Sequence, residues 1–316
     1  MTLWITLTVN SIAFGGLLFL LAAGFSLIFG LMRIPNLMHG SFFMLGAYLG
    51  AALLDPNAKP SLLPAQVDLW LRTALGEDTS ATGHVWFNFW TAALMSAVAV
   101  ALIGAAVERL LLRRLAADHL PQVLLTLGLS FVVSDLCLMI WGGDPLQPLA
   151  PAALRGAVRT GGMMFPLYRL AVVAVAVAAA AALWAVVDFT RLGAMIRAGV
   201  DDAPIARAVG IRVSRLFTLV FALGAGLAGF AGVVGAPILS VYPGLDQDML
   251  PIALIVVILG GTGSLPGAFV GSFVIGFLYN FGQAKFPDLA YVILFLPMVL
   301  VLVLRPQGLF GKAAGT

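Results

Sequence analysis

Charge is what this chain has least of: Lys, Arg, Asp and Glu together make up 10% of its 316 residues, against 61% hydrophobic residues. So few charges cannot cover the surface of a soluble domain of this length, and a mean hydropathy of +1.06 says the same. Cysteine is nearly absent. The single Cys137 can make no intrachain disulfide and carries no information about redox compartment. The histidines are His39, His84 and His119, each in a different turn, so a metal site built from them is not expected. Neither G-x-x-x-x-G-K-[ST] nor H-E-x-x-H occurs, and no His/Cys pair has metal-ligand spacing. The chain therefore lacks the means to hydrolyse ATP, and it holds no catalytic constellation that would make it a membrane enzyme. A pI near 9.3 without an aromatic-interleaved basic patch gives no reason to expect nucleic-acid binding.

What is present is a series of apolar stretches. Roughly 20 apolar residues cross the hydrocarbon core of a bilayer, and runs such as Leu170–Val187 show none of the alternation of a membrane β-barrel. The expected class is an all-α polytopic membrane protein in a single domain, 1–316. Spans are predicted near Ile5–Leu31, Gly40–Leu54, Trp86–Val107, Gln122–Trp141, Phe165–Val187, Leu216–Leu239, Met249–Leu259, Leu265–Phe281 and Tyr291–Leu304. The stretch Met249–Leu259 is short alone, and the expected total is about eight helices. The second span is also short and could be partly re-entrant. The first lacks the basic start of a cleavable signal peptide and is expected to be retained.

If Arg33, 109–114, 191–215 and 305–312 share a side, that side holds 11 of the 17 Lys and Arg, and the positive-inside bias makes it cytoplasmic. The expected turns are then outside at 55–85, outside near Tyr242–Asp246, inside near Gly260–Gly267 and outside near Gln283–Asp288. The N-terminus is expected outside and the C-terminus in the cytoplasm. Arg155, Arg159 and Arg169 fall on the outer side against the bias.

The densest charge lies in the inner loop 190–215. There Asp201 and Asp202 precede Pro204, Ile205, Arg207 and Val209, and Gly210 follows. Asp202 suits a helix cap, Pro204 a first turn and Gly210 a C-terminal stop. The short helix so framed needs to dock to be stable. A solvated loop held by lipid headgroups and a helix that slots into an ATPase are both consistent with the residues.

Intramembrane polar groups are costly and are candidate pathway residues. Asn36, His39 and Ser41 cluster where the first two spans meet. Thr126, Ser130 and Ser134 recur every four residues on one helix face, with Asp135 adjoining; bonding back to the helix's own carbonyls also accounts for the hydroxyls. Asp135, deep in its span, is the strongest single pathway candidate. In Leu216–Ala236, small residues four apart, Gly224/Ala228, Ala225/Gly229 and Gly232/Ala236 among them, make a smooth face for close helix packing. Gly260–Gly267 is a tight structural turn without a phosphate-binding lysine. GSF at Gly40–Phe42 and again at Gly271–Phe273 hints at an internal repeat, though 35 glycines make chance an equal explanation.

Four blocks carry a resemblance: FSLIFGLMRIPNLMHGSFFMLGAY from Phe25, TRLGAMIRAGVDDAPIARAVGIRVSRLFTLVFALGAGLAGFAGVV from Thr190, VVILGGTGSLPGAFVGSFVIG from Val256, and the closing LRPQGLFG. Together, and in this order, they resemble the membrane permease of the branched-chain amino acid ABC importers over nearly the whole chain. The resemblance implies an assembly in the bacterial inner membrane of a periplasmic substrate-binding protein, two permeases (this chain with a homologue or a second copy) and two ATP-binding cassette subunits. ATP and Mg would belong to those subunits, with no cofactor in this chain. It implies too that 201–210 couples to the ATPase, and that the family tends to carry an amide where Asp135 stands. The outer loop 55–85 is longer than the family's usual connection. Urea, short amides or small carboxylates are alternative substrates. An ion-coupled secondary transporter would need intramembrane ionisable pairs, and a channel would work without nucleotide.

Overall fold

A computed structural model describes residues 2–32, 36–54, 85–115, 119–160 and 163–311 of the protein. Arg33, Lys312 and nearly all of the outer loop expected at 55–85 lie outside the described residues. Among the described residues there are eleven α-helices and one hairpin: α1 Thr2–Met32, α2 His39–Leu54, α3 Val85–Leu110, α4 His119–Trp141, β1 Ala157–Thr160, β2 Met163–Pro166, α5 Leu167–Phe189, α6 Arg191–Asp201, α7 Ala203–Ala208, α8 Val213–Leu239, α9 Leu245–Gly260, α10 Leu265–Lys285 and α11 Ala290–Leu304. Seven of the helices are long and apolar enough to cross a membrane. α2 and α9 have 16 residues each, about 24 Å at 1.5 Å per residue, less than the roughly 30 Å hydrocarbon core.

The helices fall close to the expected spans, because each is an unbroken apolar run whose ends are set by polar or turn residues. Two expectations are corrected. The fifth span begins at Leu167 rather than Phe165, since Met163–Pro166 pairs antiparallel with Ala157–Thr160, Val158 opposite Phe165. The turn at Tyr242–Asp246 does not stay at the outer surface: α9 starts at Leu245 beside the start of α2, where a Cβ on Gly40 would lie 2.7 Å from the Asp246 carbonyl.

α1 is apolar on every side and its spanning stretch is 83% buried, whereas those of α4 and α5 are 11% buried. A helix without a polar face belongs in the middle of a bundle, and α1 occupies it with α8. The two run antiparallel. Gly24 meets Gly224 backbone to backbone, while Leu17 packs over Gly235. The small-residue face of α8 is ordinary packing within the chain: Gly229 accepts Val100 of α3 and closes on Gly46 of α2, and a Cβ on Gly232 would lie 2.0 Å from the Phe43 carbonyl. Side chains at these positions would push the helices apart.

The basic clusters gather at one end of the bundle. Leu27, near the C-terminal end of α1, packs on Ile196, Leu216 and Val220. Arg113 reaches the Ser214 carbonyl. Gly30 touches Gly263 in the α9–α10 turn. The tail after α11 folds back on that turn, where Leu309 N–H donates to the Leu259 carbonyl and Phe310 N–H to that of Gly260. Gly261 and Gly263 there have φ of +101° and +78°, a backbone that glycine alone adopts easily. This explains the closing LRPQGLFG block. At the opposite end Trp4 lies against Phe281, with the Lys285 ammonium 4.8 Å from the indole centroid.

The halves of the chain repeat a pattern in opposite directions. A long helix (α1, α8) is followed by a short one that begins at mid-depth (α2, α9) and then by a long helix (α3, α10). α2 rises from the middle toward the Trp4 end, with Tyr48 stacked on Trp141 of α4; α9 descends from the middle to the basic end at Gly260. Inverted repeats built on discontinuous helices are a transporter arrangement. The two GSF triplets do not correspond under this relation, since one opens α2 and the other lies inside α10.

Candidate coupling and translocation sites

The charged segment 190–215 folds into two helices rather than one. Thr190 caps α6 by accepting from Gly193 N–H at 3.2 Å. Its apolar positions Leu192 and Ile196 pack on Leu27, Leu216, Phe217 and Val220. Asp202 caps α7 as expected, its Oδ1 accepting from Ile205 N–H at 2.9 Å, and Pro204 stands in the first turn. Gly210, at φ +90°, ends it. Ile205 is 62% and Val209 71% exposed, and Arg207 is exposed beside them; Ala206 is buried against the bundle. Asp201 closes α6, and its side chain lies outside the described residues. α7 therefore buries Ala206 and presents an apolar pair with an arginine outward.

Around the start of α2, Asn36, His39 and Ser41 are all buried. Asn36 Oδ1 accepts from Met38 N–H at 3.2 Å, and His39 Nε2 lies 3.0 Å from the Leu21 carbonyl. Leu21 is about 16 Å along α1 from Met32, so α2 begins well inside the bundle. The residue missing from the sequence-based set is Asp246. It is buried, and its Oδ2 accepts the Ser41 hydroxyl at 2.9 Å. Asp246 Oδ1, Asn36 Nδ2 and His39 Nδ1 have no hydrogen-bond partner among the described residues. A carboxylate here lies in the first turn of α9 and against the first turn of α2, so two helix N-termini stabilise its charge.

On α4 the hydroxyls turn back on their own helix. Thr126 Oγ1 donates to the Val123 carbonyl at 3.0 Å and accepts from Leu37 N–H at 3.3 Å; Ser130 Oγ donates to Leu127 at 2.6 Å. Thr126 is buried, and Ser130 and Ser134 are half-buried. Asp135 faces the other way, exposed among Phe131, Val132, Leu136 and Met139. The structure thus brings Asn36, His39, Ser41 and Thr126 into one neighbourhood and separates Asp135 from it. No group of three or more His, Cys, Asp or Glu that could hold a metal occurs among the described residues.

The family model described as "Branched-chain amino acid transport system / permease component" matches residues 7–302. Among curated relatives, the high-affinity branched-chain amino acid transport system permease protein BraD of Pseudomonas aeruginosa is 25% identical, over 96% of this chain and 94% of its own length. LivH of Escherichia coli K12, with the same description, is 24% identical over 96% and 94%. The autoinducer 2 import system permease protein LsrC of an Enterobacter strain is 27% identical over 78% of this chain and 73% of its own. No solved structure matches the chain. With a helix bundle of membrane-crossing length, a framed short helix in its most charged segment and a family match along nearly its whole length, the chain belongs to the branched-chain amino acid transport system permease family.

Proposed function

We propose that this permease moves branched-chain or other hydrophobic amino acids inward through the bacterial inner membrane, alternating access with a second permease subunit. It works with two ATP-binding cassette subunits and a periplasmic substrate-binding protein, and ATP and Mg bind in the cassette subunits. What carries the substrate class is that BraD and LivH, both named for branched-chain amino acids, align with 96% of the chain. The likeness to LsrC, named for autoinducer 2 import, favours a second reading in which the same machine carries another solute, with urea, short amides or small carboxylates the alternatives. The orientation with the N-terminus outside is supported by the gathering of the basic clusters at one end. It requires an odd number of crossings, which the seven long helices with α2 and α9 satisfy and eight would not.

The coupling segment is Asp201, Asp202, Pro204, Ile205, Arg207, Val209 and Gly210. Exposed Ile205 and Val209 suit an apolar cleft, and Arg207 an acidic rim on the ATPase. The pathway is assigned to the neighbourhood of Asn36, His39, Ser41 and Thr126, with Ser130, Ser134 and Asp135 on α4. Replacing Ile205 and Val209 by Asp tests the coupling role: the double variant should fold, meet the binding protein, lose uptake and co-purify poorly with the ATPase. Wild-type association and uptake would move coupling to another inner segment, with 109–120 the next candidate. Thermal stabilisation of the cognate binding protein by leucine, against urea or acetate, tests the substrate class.

A further inference from the structure

Glu108 stands where electrostatics disfavours it. It lies in the last turn of α3, where the helix dipole is negative, and it is buried. Two groups hold it. Thr218 Oγ1 of α8 donates to its Oε2 at 2.5 Å, and the Arg113 guanidinium approaches its Oε1 at 3.8 Å. Arg113 sits in the 3-10 turn Leu112–Leu115 between α3 and α4, and it also donates to the Ser214 carbonyl at 2.7 Å and to Thr218 Oγ1 at 3.3 Å. The first two turns of α8 are thereby gripped from α3 and from the turn that leads into α4.

Both ends of this contact are tied to parts already described. On one side, Ile211 N–H donates to the Ala206 carbonyl and Val213 N–H to that of Ile211, so α7 and the start of α8 are joined by a bonded turn. α6 packs on Leu216 and Val220 of the same helix. On the other side, Gln122 Nε2 of α4 donates to the Leu115 carbonyl at 2.7 Å, and Thr126 one turn further on accepts from Leu37 at the entry to α2.

We propose that Arg113, paired with Glu108 and closed on Ser214 and Thr218, is the positioning residue through which displacement of the α6–α7 unit reaches α4 and the start of α2. The proposal rests on the reading that α7 docks on the ATPase. Without the guanidinium, the first turn of α8 would slide past the α3–α4 turn instead of carrying it along. The Glu108 side chain is 2% and that of Arg113 38% exposed, so removing the arginine alone strands a buried carboxylate, whereas replacing both by apolar groups leaves no buried charge unpaired. The test is therefore the double variant Glu108→Leu/Arg113→Leu, reconstituted with its ATPase and binding protein in vesicles.

Membrane abundance and ATPase co-purification should match wild type, while amino acid transported per ATP hydrolysed falls by about tenfold. Arg113→Lys should fall between, because one ammonium keeps the charge near Glu108 but cannot fork to the Ser214 carbonyl as well. A double variant with wild-type transport per ATP overturns the proposal, as does one that loses the ATPase altogether, since the pair would then serve docking. The Ile205→Asp/Val209→Asp arm reads the underlying assumption separately: retained ATPase association there removes the docking role, and the joint with it.

Discussion

The Ser41 hydroxyl donates a 2.9 Å hydrogen bond to Asp246 Oδ2 across 205 residues of sequence, pinning the first turn of α2 to the first turn of α9. These are the short, mid-depth helices of the two inverted halves, so the bond lies where the halves meet. Ser41→Ala leaves one more oxygen of a buried carboxylate unpaired and should cost about 1–3 kcal/mol, measured as a lowered midpoint of thermal unfolding in detergent. Asp246→Asn keeps an acceptor for Ser41 and should retain more stability and uptake than Asp246→Leu, which removes both acceptors. A leucine variant as stable and active as wild type would show that the contact does not matter.

The span positions were legible because lipid imposes a length and polarity on each helix that the residues must display in order. The α7 frame was legible as well, since Asp202, Pro204 and Gly210 act through local backbone geometry alone. Asp246 was not. Read locally, Tyr242–Asp246 is a polar connection between apolar runs and belongs at the surface. Its descent to mid-depth depends on Gly40, some 200 positions earlier, allowing α9 to begin against α2. The one signal that could have found it was the pair of short apolar stretches in corresponding places of the two halves. In the sequence α6 reads as loop, because its charges mask an apolar stripe, Leu192 and Ile196, that is recognisable only once Leu216 and Val220 lie beneath it.

Gly24 and Gly224 bring the backbones of α1 and α8 into contact. A Cβ on Gly24 would sit 2.5 Å from the Gly224 carbonyl oxygen, and one on Gly224 2.7 Å from that of Gly24. Either glycine replaced by alanine should destabilise the bundle by about 1–3 kcal/mol, the usual cost of overpacking. Gly128→Ala is the control: a Cβ there meets nothing within 4 Å, and alanine favours the helix. Equal unfolding midpoints for Gly24→Ala and Gly128→Ala would contradict the close crossing.

The chain has no phosphate-binding loop, and its glycine-rich turn at Gly260–Gly267 is filled by the closing segment 307–311. The purified permease without its ATPase should bind no nucleotide, checked with a fluorescent ATP analogue in detergent. Saturable binding by the pure polypeptide would place part of the energy coupling in this chain.

Asp135 is exposed on a helix face otherwise made of Phe131, Val132, Leu136 and Met139. In lipid an ionised carboxylate on such a face would be expensive, so the side chain is expected to meet a polar pathway or the second permease. Asp135→Leu should then reduce uptake more than it reduces the folded yield. It could even raise the stability of the isolated chain, because it removes an exposed charge from an apolar surface. Asp135→Asn should be mild, since an amide still hydrogen-bonds across a polar seam. Uptake in proteoliposomes, normalised to folded protein by size-exclusion yield, separates the two effects. Full transport by the leucine variant would take Asp135 out of the pathway and leave the buried neighbourhood of Ser41 and Thr126 as the remaining candidate.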